Sequence, residues 1–164
     1  MSTQTLQPGP ASGARTRVAL AILVGGLVAG TVDIGAAALI NMLDPRVILR
    51  FVAGGVQGKA ALQGGAQSAW LGLCLQWGMS IVIAAIFVIA ATRLRWLTAR
   101  WAMAGLAYGV VVFVVMDYVV MPLPAWRRIN HFSAAALAMN LVATLVFGLI
   151  VAYAARKLLG RVRA

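Results

Sequence analysis

Residues 66–92 read AQSAWLGLCLQWGMSIVIAAIFVIAAT and contain no charged side chain. An α-helix rises about 1.5 Å per residue, so roughly 20 apolar residues cross the hydrocarbon core of a bilayer. The stretch is therefore long enough to span a membrane. Three further apolar runs occupy about residues 18–43, 101–121 and 132–153. The sequence predicts an all-α fold, a polytopic membrane protein with a bundle of four transmembrane helices.

The composition of the chain excludes a water-soluble globular protein. Of the 164 residues, 63% are hydrophobic and 10% charged, whereas soluble domains carry about 25% charged residues. A small domain cannot bury such an excess of apolar side chains, because much of its surface stays exposed. The 14 basic residues and three acids would suggest nucleic acid in a soluble protein. Here the basic residues flank the apolar runs, so we predict the lipid bilayer and no nucleic acid as partner.

The segments outside the apolar runs predict two tails around a membrane domain at residues 18–155. Residues 1–17 begin with a stretch rich in Pro, Gly and Ser, which predicts a disordered cytoplasmic tail. Residues 156–164 are predicted to be a basic cytoplasmic tail. The first run also resembles a signal peptide with a cleavage site after residues 36–38. We expect the helix to be retained, because the run is long and Asp33 interrupts it.

The only long connection, about residues 44–65, joins the first two spans. Asp44-Pro45 is typical of a helix N-cap followed by proline at the first helical position. Arg46 and Arg50 share one face of the following segment, and an apolar stripe lies on another: Val47, Ile48, Phe51 and Val52. The pattern predicts a short helix at about residues 45–57, lying in the plane of the membrane interface.

Basic residues near the helix ends predict the orientation of the bundle. Nine lie at the termini and between the second and third spans: Arg15, Arg17, Arg93, Arg95, Arg100, Arg156, Lys157, Arg161 and Arg163. Five lie on the opposite side: Arg46, Arg50, Lys59, Arg127 and Arg128. Both termini are therefore predicted to be cytoplasmic.

Small and polar residues recur at helical spacing in every predicted span, which lets membrane helices approach closely. The four stripes are Gly26, Gly30, Asp33 and Ala37; Ser68, Gly72, Gln76 and Ser80; Gly105 and Gly109; and Ala136, Asn140, Thr144, Gly148 and Ala152. We interpret them as the inner faces of the bundle.

Four polar side chains deep in the spans form a candidate buried polar cluster: Asp33, Gln76, Asp117 and Asn140. Their positions along the spans place them at similar heights, in the middle to outer half of the bilayer. Asp117 lies about 80° around its helix from Gly109, at the edge of the glycine face. An aspartate at such depth costs about 2.5–3.5 kcal/mol on insertion scales, so both acids are expected to face protein.

Two interpretations of the cluster remain open. In the first, it is a polar site in a minimal transporter or channel subunit for a proton, cation or small solute. A homo-oligomer would then supply enough helices to enclose a path. In the second, the cluster provides hydrogen bonds between helices in a structural or accessory bundle, with Asp33 bonded to Asn140 or Gln76. We favour the second because the two acids have no buried base.

Signatures of catalysis, metals and cofactors are absent from the sequence. His131, the only histidine, falls at the predicted outer interface, which excludes bis-histidine haem and histidine metal clusters. A nucleotide-binding Gly-x-x-x-x-Gly-Lys loop and a serine hydrolase elbow are also lacking. We therefore expect a protein that is not an enzyme and holds no cofactor.

Several short motifs occur in a familiar order: Gly30-Thr31-x-Asp33, Asp44-Pro45, Gly64-Gly65, Ala104-Gly105-x-x-Tyr108-Gly109 and Val119-Val120-Met121-Pro122-Leu123. With them, the chain resembles a group of small four-helix bacterial inner-membrane proteins and, more distantly, the YagU-like membrane proteins. The likeness covers about residues 20–155. It implies a multi-pass protein of the bacterial inner membrane and brings no activity with it.

Overall fold

The computed structural model describes residues 10–120 and 134–160. Within these ranges the chain is helical: α1 Pro10–Asn41, α2 Pro45–Gln57, a 3-10 helix Gly58–Leu62, α3 Gly65–Arg93, α4 Arg95–Ala99, α5 Trp101–Val115, a π-helical turn Met116–Val120, and α6 Ala134–Gly160. Four helices are long and apolar enough to cross a membrane, namely α1, α3, α5 with the turn that follows it, and α6. The predicted all-α, four-span fold is confirmed, as is the short helix between the first two spans.

Helices α1 and α6 extend into both predicted tails. Helix α1 already begins at Pro10, so residues 10–17 are helical rather than disordered. Proline suits the first turn of a helix, and the alanines and arginines that follow it favour helix. Helix α6 continues to Gly160. It does so because Leu159, only 5% exposed, packs into the hydrophobic core.

Some predictions fall on residues outside the described ranges. They concern the first part of the N-terminal tail, the end of the third span, the start of the fourth, His131 between them and the last basic residues, at positions 1–9, 121–133 and 161–164.

Helices α1 and α3 are antiparallel neighbours that meet through the predicted small-residue face of α1. A methyl group on Gly26 would lie 2.8 Å from Cα of Ile81, and one on Gly30 would lie 2.5 Å from Oγ of Ser80. From Gly26 to Gly30 the contacts move toward the C-terminus of α1, and from Ile81 to Ser80 they move toward the N-terminus of α3. The two helices are therefore antiparallel. Because neither glycine carries a side chain, the backbones can approach this closely.

Helix α6 packs against both α1 and α5. On α1, Gly25 contacts Val151 and Ala154. On α5, Gly105 and Gly109 lie against the backbone of α6 at Gly148 and Thr144. The predicted stripes of the third and fourth spans are thus the surfaces on which these helices meet.

The side chain of Tyr108 links α5 to α3. The hydroxyl of Tyr108 donates a hydrogen bond to the carbonyl oxygen of Ile83, at 2.6 Å. The ring of Tyr108 also packs against Phe87, with centroids 5.0 Å apart. Phe87 belongs to the hydrophobic core, which contains buried residues of all four spanning helices.

Helix α2 begins as predicted and docks on the first turns of α3. The carboxylate of Asp44 accepts a hydrogen bond from the backbone N–H of Arg46 at 2.7 Å and so caps the helix. Further along, the carbonyl oxygen of Leu49 lies directly over Gly72. Ser68 then donates to the side chain of Gln57 at 2.7 Å. The short helix is therefore fixed to α3 by close packing and hydrogen bonds.

Candidate functional site: two polar pairs between the spanning helices

The first polar pair joins α1 to α3. Nε2 of Gln76 donates a hydrogen bond to Oδ2 of Asp33 at 2.8 Å. Both side chains are partly buried. Asp33 follows Gly30 by three residues and Gln76 precedes Ser80 by four, so the close Gly30–Ser80 contact brings the two side chains level in the antiparallel pair.

A second interhelical bond lies beside this pair. Nε1 of Trp77 donates to the hydroxyl oxygen of Thr31 at 3.2 Å. That hydroxyl in turn donates to the carbonyl oxygen of Leu27, one turn earlier on α1, at 2.8 Å. Two adjacent residues of α3 thus contact two polar residues of α1, which makes the α1–α3 contact hydrogen-bonded as well as closely packed.

The other polar pair joins the end of the third span to α6. Nδ2 of Asn140 donates to both carboxylate oxygens of Asp117, at 3.2 Å and 3.0 Å. Asp117 lies four residues beyond Phe113, which is itself four beyond Gly109 and buried. Residues four apart in a helix lie on nearly the same face, each displaced slightly around the axis from the one before. Asp117 therefore contacts α6 although it lies off the face that carries the glycines.

The candidate cluster is thus divided into two pairs at different helix contacts. Asp33 lies eight residues beyond Gly25, which contacts Val151 and Ala154 of α6. In an antiparallel pair this places Asp33 level with about residue 144 of α6, roughly one turn from Asn140. The two pairs therefore lie at similar depth. Among the hydrogen bonds between described residues, none connects one pair to the other.

The chemistry of each pair is that of a carboxyl group beside a primary amide. A carboxylate accepts from the amide N–H, and a protonated carboxyl can donate to the amide oxygen, so the pair can be bonded in either state. Neither pair contains a basic side chain. In the described part of the chain, no three His, Cys, Asp or Glu side chains come together as metal ligands.

Sequence reasoning did not identify two of the polar links, Trp77 to Thr31 and Tyr108 to Ile83. The first could have been found from position, because Trp77 follows Gln76 and Thr31 lies two residues before Asp33. The bond of Tyr108 to Ile83 has no such signal in the sequence, because its acceptor is the backbone carbonyl of an apolar residue.

Comparison with known proteins returned no match for this chain, whether to protein-family models, to curated sequences or to solved structures. The class of the protein is therefore defined by its own fold, which is that of a multi-pass membrane protein with four spanning helices.

Proposed function

We propose that the chain is a structural or accessory helical bundle of the bacterial inner membrane, and that it acts by packing with copies of itself or with other membrane proteins. The observation that carries this proposal is the pairing of the deep polar side chains. Asp33 and Asp117 each accept a hydrogen bond from an amide on a neighbouring helix. Their polarity is therefore accounted for by contacts within the bundle, without a ligand.

The close packing around the pairs supports the same proposal. A transported ion or solute needs a path beside the polar groups that bind it. At the α1–α3 contact, Gly30 touches Ser80 one turn from Asp33. A groove of about 280 Å³ does lie on α1, but it is on the outer face of the helix and is lined by Leu27, Val28, Thr31 and Val32.

The alternative is a minimal transporter or channel subunit for a proton, cation or small solute. It is favoured by the similar depth of Asp33 and Asp117, because a cation that reaches this depth can be bound by either carboxylate. In either case we propose a protein without enzymatic activity.

The charge distribution supports an orientation with both termini in the cytoplasm. The basic residues at the start of α1, around α4 and at the end of α6 lie at the same end of the antiparallel bundle: Arg15, Arg17, Arg93, Arg95, Arg100, Arg156 and Lys157. The opposite end has three basic residues in the described ranges, Arg46, Arg50 and Lys59. The end that is richer in lysine and arginine normally faces the cytoplasm.

Proton flux into liposomes that enclose a pH-sensitive dye tests this proposal against the alternative. Wild type, Asp33→Asn and the surface control Cys74→Ala are reconstituted at equal density. We expect all three to acidify no faster than protein-free liposomes. We also expect Asp33→Asn to unfold in detergent at nearly the wild-type midpoint, because the amide retains the shape and a hydrogen-bonding group.

A transporter would give a different pattern. Flux in wild type and Cys74→Ala, lost in a well-folded Asp33→Asn variant, would overturn the proposal. Parallel liposomes that enclose a potassium- or sodium-sensitive dye are given gradients of those ions, so that cation transport is also detected.

A further inference from the structure

One end of the bundle concentrates cations that come from α4 and from the ends of three spanning helices. They are Arg93 at the end of α3, Arg95 in α4, Arg100 before α5, and Arg156 and Lys157 near the end of α6. We call these five residues the basic end. Helix α4 contacts α3, α5 and α6, so the five are gathered at one corner of the fold.

The acids of the chain cannot neutralise this group. The sequence contains only three, Asp33, Asp44 and Asp117. Asp44 caps α2 at the opposite end of the bundle, and the other two are bonded to Gln76 and Asn140 within the spans. None of the three side-chain carboxylates therefore neutralises the basic end.

Aromatic rings hold two of the cations at the end of the spans. The guanidinium carbon of Arg156 lies 5.6 Å from the centre of the Trp101 ring, and Nζ of Lys157 lies 5.9 Å from that of Tyr153. The two rings pack edge to face with centroids 5.5 Å apart. Trp and Tyr concentrate at the level of lipid headgroups. By this preference the two rings mark the headgroup level, and we expect both cations at the depth of the lipid phosphates.

We propose that the basic end binds the phosphodiester headgroups of anionic phospholipids. Arg156 and Lys157 supply the central contacts, and Arg93, Arg95 and Arg100 extend the positive surface. Arg93, Arg100, Arg156 and Lys157 lie within an apolar span or directly beside one. A lipid phosphate that reaches them there has its acyl chains along the same helices. The site therefore fits a lipid better than a free phosphate ion. The inference requires only that the protein lies in a membrane, and it holds whether or not the bundle transports anything.

Native mass spectrometry of the delipidated protein in a neutral detergent tests the proposal. Wild type receives an equimolar mixture of phosphatidylglycerol and phosphatidylcholine. We expect bound phosphatidylglycerol to predominate. The double variant Arg156→Gln/Lys157→Gln should reduce that preference about twenty-five-fold, because each cation near an anionic surface contributes roughly a fivefold factor in affinity.

Two control variants distinguish a specific lipid site from the effects of overall charge and of misfolding. Arg46→Gln/Lys59→Gln removes the same charge at the opposite end and should leave the preference unchanged. Arg156→Lys/Lys157→Arg retains the charges at the basic end and should preserve it. All variants are compared for helix content by circular dichroism. An equal loss in both Gln variants, or no preference in wild type, would overturn the proposal.

A competition experiment distinguishes the lipid from other phosphates. Inorganic phosphate in large excess should not displace phosphatidylglycerol from wild type. Displacement by phosphate, or by a short RNA, would show that the basic end binds free anions and would contradict a lipid site.

Discussion

Gly105 of α5 and Gly148 of α6 meet backbone to backbone. A methyl group on Gly105 would lie 2.9 Å from the carbonyl oxygen of Gly148, and one on Gly148 would overlap the carbonyl oxygen of Gly105. The contact is reciprocal, so a side chain on either residue forces the two helices apart. Since lipid tails are as apolar as leucine, such close packing is a main source of stability between membrane helices.

Gly148→Ala should therefore destabilise the bundle. Inserting a methyl group where backbone atoms stand in the way costs about 1–3 kcal/mol. The measurement is unfolding in mixed micelles with increasing SDS, followed by circular dichroism. The matched control is Gly78→Ala, because Gly78 is an exposed residue of α3 with open space where the methyl group would be.

The control should unfold at the wild-type midpoint or above it, because alanine favours helix over glycine by up to about 1 kcal/mol. Equal losses in both variants would show that glycine flexibility, rather than close approach, is what matters at these positions.

The sequence predicted which faces of the spans pack, but not which helix each face meets. Gly72 shows the difference. Its place in the second stripe predicted a contact inside the four-helix bundle, whereas the structure places Leu49 of α2 over it. Periodicity identifies a buried face from one segment alone, but a partner depends on how the whole chain is arranged.

Depth along a helix was the more informative signal for the polar residues. It placed Gln76 and Asn140 level with Asp33, and the structure selects Gln76 because α3 lies against the Gly26–Gly30 face. The sequence placed Asp117 at the edge of its glycine face. In the structure it contacts α6, because Phe113, halfway between Gly109 and Asp117, continues the packing face toward it. The sequence identified the four polar side chains, but not their division into the two pairs that the structure shows.

The bond between Asp33 and Gln76 should be measurable as a coupling free energy. Asp33→Leu, Gln76→Leu and the double variant form a cycle whose midpoints are read in the SDS titration. Each single variant leaves one buried polar group without its partner, so the two losses should not add. Hydrogen bonds between membrane helices average about 0.6 kcal/mol and reach about 1.7 kcal/mol. A coupling of zero would contradict a stabilising role for this pair.

Asp33 should contribute more to stability than Asp117. The α1–α3 contact around Asp33 is fixed by Gly26, Gly30 and the Trp77–Thr31 bond, so it cannot relax when the carboxyl group is removed. Asp117 lies in a π-helical turn beyond the regular end of α5, eight residues from the close contact of Gly109 with α6. Asp33→Leu should therefore lower the unfolding midpoint more than Asp117→Leu, and the reverse order would contradict this.

The proposed orientation predicts which exposed residues a membrane-impermeant thiol reagent can reach. In a Cys74→Ser background, because Cys74 is itself exposed, Lys59→Cys should be labelled in intact cells. Arg95→Cys, exposed at the opposite end, should be labelled only after the membrane is permeabilised. The opposite pattern would place both termini outside the cytoplasm and would also move the basic end to the outer leaflet.

Docking of α2 on α3 should protect its backbone from hydrogen exchange. In wild type the amides of residues 48–57 should exchange slowly, because their N–H groups are bonded within a helix that packs on Gly72. Gly72→Ala places a methyl group against the Leu49 carbonyl and should speed exchange in α2 while leaving α6 protected. Gly78→Ala, further along α3 with open space around it, should change neither. Exchange in wild-type α2 at the rate of an unstructured peptide would show that the segment is not a stably docked helix.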